Sequence, residues 1–214
     1  MFVTETLAPT AAPAQQVQSP NGASRVPNPP ARPAPRRWTV DEFEAGIASG
    51  FIGEDDAVEL LEGIITQKMS IDAPHAYATD ALADLLYERL DRRAYAVGGQ
   101  NPIRLDDGSR PEPDLRVAVG PRSRYRKALP TATEVLWLAE VADSSIKIDR
   151  EYKRGLYARA GIAEYWIVDL TSASVECYTG PQADGEYATK QTYGREAVIE
   201  HALLGSVAVK ELFG

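Results

Sequence analysis

The chain has 214 residues, 44% hydrophobic and 25% charged, with a formal net charge of −8. This is ordinary globular composition and enough chain for one domain with a sizeable core. The acidity argues against a simple basic nucleic-acid coat, and no apolar run reaches the length of a membrane span. The single cysteine, Cys177, excludes an internal disulfide, so a reducing cytoplasmic setting is expected. No basic segment followed by an apolar one opens the chain, so no signal peptide is read there.

Residues 1–35 hold 8 of the 15 prolines, with alanine, glutamine and serine filling most of the rest. Such a segment buries too little apolar surface to offset its ordering entropy. A disordered Pro/Ala-rich tail is expected there, followed by a single domain over 36–214.

The next stretch, "TVDEFEAGI", reads as a short helix with a capping box of Thr39 and Glu42. "AVELLEGIITQKM" reads as a hairpin turning at Glu62-Gly63. "HAYATDALADLLYERLDRR" is the clearest helix, with Ala78, Leu82, Leu85 and Leu86 at helical spacing. Strands are expected near 94–105, 114–119 and 134–142. A helix is expected over about 149–160, with Asp149 as N-cap and Gly161 as C-cap. Strand 164–169 and further short strands follow. This order predicts an α/β fold, a mixed β-sheet flanked by helices.

"EVLWLAEVAD" (134–143) is nearly apolar on both alternating faces, as a central strand must be. Val135, Trp137, Ala139 and Val141 fall on one face, Leu136, Leu138 and Ala142 on the other. Glu140 interrupts the second face. A buried carboxylate costs several kcal/mol unless it is paired, hydrogen-bonded or on a metal. On the following helix, Tyr152, Leu156, Tyr157 and Ala160 form an apolar arc that includes Lys153, with Arg150 at its border. Asp114 follows Pro113 at the mouth of "DLRVAV", a neighbouring strand. Two carboxylates on adjacent strands beside an ammonium suit a hard divalent cation, Mg²⁺ or Mn²⁺, and chemistry on a phosphate. The plainer alternative is a buried Glu140–Lys153 ion pair, which leaves Asp114 unexplained.

Other residues carry less. Arg122, Arg124, Arg126 and Lys127 form a basic run that is either a grip on a phosphate backbone or a solvated loop. Ser144 and Ser145 have no histidine nearby in sequence, and His201 is isolated, so serine chemistry is not expected. Cys177 reads as a packed thiol.

Asp114 after Pro113, Glu140 in an apolar strand, and a lysine resemble the PD-(D/E)XK nuclease superfamily. More closely, "LAEVADSSIKIDREYKRGLYARAGIAEYWIVDL" is similar to the Uma family of restriction-endonuclease-like proteins. The similarity extends to "VELLEGII", "HAYATDALADLL" and "QNPIRLDDGSRPEPDL", from about Trp38 to Asp169. The superfamily's lysine stands two residues after the strand acid; here that position is Ala142, and the resemblance moves the lysine to Lys153 on the next helix. It also matches an acid at Glu59, which is either a third metal-site acid or an ordinary hairpin residue, and a histidine at His75, which either supports the site or is a structural helix-start residue. Gln100 is read as a supporting hydrogen-bonding residue near the site. It implies a restriction-endonuclease-like fold and a metal-dependent endonuclease. Asp114 and Glu140 would then hold the metal, and Lys153 would act on the attacking water. The alternative is a catalytically silent nucleic-acid-binding or interaction module. Expected partners are nucleic acid, with DNA preferred over RNA, and a second copy in a homodimer, with no membrane.

Overall fold

The computed structural model describes residues 34–53 and 55–214. The tail expected over 1–35 therefore falls almost wholly outside the described residues. Helix α1 (Val40–Ala48) opens on the expected capping box of Thr39 and Glu42. Strands β1 (Val58–Leu61) and β2 (Ile64–Gln67) pair antiparallel. Glu62 and Gly63 join them with φ of 48° and 78°. Two successive left-handed residues are what a tight hairpin turn of this twist requires. Helix α2 (Ala73–Arg89) starts at the Asp72 N-cap and buries Ala78, Leu82, Leu85 and Leu86.

Strands β3 (Tyr95–Gly99), β4 (Leu115–Val119) and β5 (Val135–Ala142) follow. A helical crossover then runs through α3 (Ile146–Ile148), a π-helical turn at Asp149–Lys153, and α4 (Arg154–Arg159). Strands β6 (Glu164–Asp169), β7 (Ser174–Pro181) and β8 (Tyr187–Gly194) complete a six-stranded sheet of order β3-β4-β5-β6-β7-β8. Only β5 and β6 run parallel, which is why a helical crossover joins them. A second hairpin, β9 (Val198–His201) and β10 (Gly205–Ala208), packs onto the α2 side through Ile199 and Val207.

The sheet has a core on each face. Trp137, Ala139, Val141, Trp166 and Val168 pack with α2 on one side. Leu138, Ala142, Tyr157, Ile162, Tyr165 and Ile167 pack under α4 on the other. Three local expectations are corrected. Val135 joins the Leu138 face rather than the Trp137 face, because a register shift opposite Val117/Ala118 breaks the alternation. The strand expected over 94–105 ends at Gly99; beyond it only Arg104 bridges to Thr131. Helix begins at Ile146, three residues before Asp149, so Asp149 is an interior residue and not an N-cap. Gly161 does close the helix, at φ 79°.

Candidate active site

The sheet register brings the two expected carboxylates together. Leu115 pairs with Ala139, so Asp114 at the strand mouth comes beside Glu140. Asp114 Oδ2 accepts the Val141 backbone N–H at 2.8 Å, and the Asp114 N–H points at Glu140 Oε2 at 3.4 Å. Asp114 is thus held by strand backbone rather than left as a loose turn acid.

Lys153 reaches this pair from the π turn, where the Arg154 N–H donates to the Asp149 carbonyl five residues back. Such a turn inserts one extra residue into the helix and re-aims the side chains around it. Lys153 Nζ lies 3.1 Å from Glu140 Oε1 and 3.1 Å from Glu59 Oε1. Glu140 Oε1 also accepts the Tyr157 hydroxyl at 2.8 Å. Glu59 Oε2 accepts the Glu112 N–H at 3.0 Å, which ties β1 to the segment before Asp114. His75, in the first turn of α2, places Nε2 3.2 Å from Asp114 Oδ2. Gln100 contributes its backbone: at φ 49°, its N–H donates to the Asp114 carbonyl at 2.9 Å, while its side chain stays at the exposed rim.

One acid was not anticipated. Asp149 is 3% exposed, accepts the Ser145 hydroxyl at 2.6 Å, and lines the same cleft. Its spacing of four residues from Lys153 was a visible signal that both lie on one helical face; its reading as a cap hid it. The cleft, about 80 Å³, is lined by Glu59, His75, Asp114, Glu140, Asp149 and Lys153 among others.

Glu59, Asp114, Glu140 and Asp149 thus face Lys153 and His75, while Lys68 and Glu112, also in the lining, pair with each other at 2.8 Å. Burial pushes Glu140 up to about 8, with Lys153 opposing and Asp114, Asp149 and Glu59 adding to the rise. Burial also pushes Asp149 up to about 6. For Lys153, burial acts to lower the pKa, but Glu140, Glu59 and Asp149 outweigh it and the net shift is upward. Lys153 is therefore a firm cation. The hydrogen bond to Asp114 raises His75.

The donor set fits a hard cation. The acids outnumber the cations, and all offer oxygen. Asp114 Oδ1 has no hydrogen-bond partner among the described residues, and Glu140 Oε2 has only the long contact to the Asp114 N–H. Among the described residues no group of three or more His, Cys, Asp or Glu side chains stands ready to hold a metal. Two carboxylates, with water and phosphate oxygens completing the shell, is the pattern Mg²⁺ accepts.

The basic run divides. Arg122 and Arg126 line a separate large pocket, whereas Arg124 makes two hydrogen bonds to Glu134 Oε1 at 3.1 and 2.7 Å. Lys127 is exposed and lines neither pocket. Away from the cleft, His201 pairs with Glu164 at 2.9 Å, and Cys177 is a buried free thiol. No described helix is long and apolar enough to cross a membrane.

The mixed sheet with its carboxylate cleft is a nuclease-type fold. A solved structure from Anabaena variabilis, titled a "putative nuclease belonging to DUF820", superposes with a TM-score of 0.62 at 18% identity, covering 82% of this chain and 97% of that one. Residues 40–209 match the Uma2 family, described as "putative restriction endonuclease", and the chain belongs to that family. No curated protein matches it.

Proposed function

We propose that the chain is a Mg²⁺- or Mn²⁺-dependent endonuclease that hydrolyses phosphodiester bonds, with DNA as substrate. The observation that carries the reading is the buried excess of carboxylates. With Lys68 and Glu112 paired to each other, Glu59, Asp114, Glu140 and Asp149 are left with Lys153 and His75. Without an ion, the cost of this buried charge is met by protons held on Glu140 and Asp149. A divalent ion held by Asp114 and Glu140 completes the balance. When bound, such an ion supplies Lewis-acid stabilisation of phosphate charge and a more acidic water.

The protein's own groups take defined parts. Lys153, held protonated by its acids, donates hydrogen bonds and does not serve as the general base; it orients a water or offsets charge on the phosphate. Tyr157 and Glu59 fix the two ends of the Lys153–Glu140 contact. His75 and the Val141 N–H pin Asp114 Oδ2, leaving Oδ1 without a hydrogen-bond partner among the described residues.

A second reading has one observation in its favour. Glu140 Oε1 already has two donors, Lys153 and Tyr157, without any ion. A silent nucleic-acid-binding module would keep such a contact. Incubating plasmid DNA and a structured RNA with Mg²⁺ or Mn²⁺ separates the two readings. The nuclease reading expects DNA cleavage that disappears in Asp114→Asn and Glu140→Gln. Intact nucleic acid in every reaction, with gel-shift binding retained, assigns the silent module.

A further inference from the structure

Arg116 is the second residue of β4, and its guanidinium has no hydrogen-bond or ion-pair partner among the described residues. Only 8% of the residue is exposed, yet Nε and Nη1 are buried without a hydrogen bond, and no ion pair reaches it among the described residues. Burial lowers its pKa, and the neighbouring Arg122 adds to that effect. Its nearest aromatic neighbour is Tyr125, whose ring centroid lies 6.0 Å from Cζ. A buried, unpaired guanidinium is among the costliest features a fold can carry.

The space around it explains what it waits for. Arg116 lines a pocket of about 740 Å³ together with Arg122, Arg126, Asn101, Ser123 and Tyr125. Its described lining contains three arginines and no carboxylate. Gly98, the residue paired with Arg116 on edge strand β3, leaves room for the guanidinium: a Cβ there would stand 2.9 Å from Arg116 Cζ. Any side chain at 98 would push the cation away from its present place. The pocket adjoins the carboxylate cleft along the chain. Arg116 is two residues from Asp114, about 7 Å along extended backbone, and Gly99 of this pocket precedes Gln100 of the cleft.

We propose that Arg116, with Arg122 and Arg126 at its rim, forms a phosphate subsite that grips the nucleic-acid backbone beside the carboxylate cleft. The assignment to a polynucleotide rests on the nuclease reading of that cleft. The anion site itself rests only on the unpaired guanidinium and its acid-free pocket. A planar guanidinium matches phosphate oxygens in a bidentate way, and a low-dielectric surround strengthens the contact.

Binding of a short fluorescent DNA duplex, measured in EDTA across a salt series, tests this without the metal. Arg116→Met removes the cation and keeps the bulk. It should weaken binding about tenfold, flatten the salt slope by about one, and melt no lower than wild type. The exposed double change Arg122→Ala/Arg126→Ala leaves the core untouched and should flatten the slope as well, so the question stays open to test even if Arg116→Met folds poorly. Unchanged duplex binding in both variants overturns the subsite, and so does a drop in melting temperature for Arg116→Met with binding intact. Stabilisation of the wild type by inorganic phosphate, with duplex binding indifferent to Arg116, would make this a small-anion site and overturn the strand assignment. A protein that never cleaves and ignores metal, yet loses duplex binding with Arg116→Met, would sink the nuclease reading and leave the subsite standing.

Discussion

Lys153 Nζ lies 3.1 Å from Glu140 Oε1, and both side chains are closed off from solvent. The contact joins a π-helical turn to the central strand of the sheet, so it is both a fastening of the fold and the centre of the cleft. Those two roles make different demands on a substitution.

Replacing Lys153 with Met strands two carboxylates, Glu140 and Glu59, in the interior. A loss of up to about 3–5 kcal/mol is expected, read by urea denaturation at a pH above the raised value of Glu140. That loss follows from the ion pair alone, so stability does not distinguish a nuclease from a silent module. Activity and metal response do: Lys153→Met should abolish cleavage while still being stabilised by Mn²⁺, because Lys153 Nζ contacts Glu140 Oε1 and Glu59 Oε1 and leaves Glu140 Oε2 and Asp114 Oδ1 for the ion. A variant that melts like wild type would show that the buried contact is worth little.

Asp149 yields a pH signature. Its folded pKa of about 6 lies above the ordinary 3.8, chiefly because it is buried. A carboxyl raised on folding contributes stability that is complete below the unfolded value and is lost as pH rises through the folded one. Wild type should therefore lose up to about 3 kcal/mol relative to Asp149→Asn between roughly pH 4 and pH 6. The asparagine keeps an acceptor for the Ser145 hydroxyl and has no charge to bury. Groups remote from Asp149 cancel in the difference, whereas Glu140, Lys153 and His75 feel its charge and contribute to it. Calorimetric melts in EDTA across that range check it, and a difference that does not grow with pH would show that Asp149 is ionised at little cost.

The hairpin turn at Glu62-Gly63 is fixed by backbone geometry. Gly63 sits at φ 78°, and a Cβ there would stand 2.5 Å from Arg37 Cβ and 3.0 Å from the Trp38 carbonyl oxygen. Gly63→Ala should destabilise by about 1–2 kcal/mol from the left-handed conformation alone, and by more if the chain at Arg37 cannot shift. The hairpin carries Glu59, so cleavage should fall with it. A denaturation midpoint equal to wild type would show that the turn relaxes freely.

The sequence made some of this readable because it rests on simple periods. Strand alternation placed Glu140 in a buried face, helical spacing turned Lys153 inward, and a Glu-Gly step marked the turn. The failures have equally specific causes. The helix begins at Ile146 with no side-chain cap at Ser145 to mark its start, so the capping rule points to Asp149, which lies inside it. The register shift opposite Val117/Ala118 moved Val135 to the other face. Arg124 finds Glu134 ten residues away, a pairing set by the loop between them. Arg116 carries no signal in the sequence, because no sequence period reveals that a side chain will be left without a partner.

The central claim is that Asp114 and Glu140 together take one divalent ion. Calorimetric melts of wild type and Asp114→Asn, with and without Mn²⁺, test it most directly. An ion that binds only the folded arrangement stabilises by mass action, about 2.7 kcal/mol at a hundredfold excess over Kd. Wild type should gain that stability, and Asp114→Asn should gain none while melting close to wild type in EDTA. A flat wild-type response up to millimolar Mn²⁺, or an equal gain in Asp114→Asn, would contradict the account.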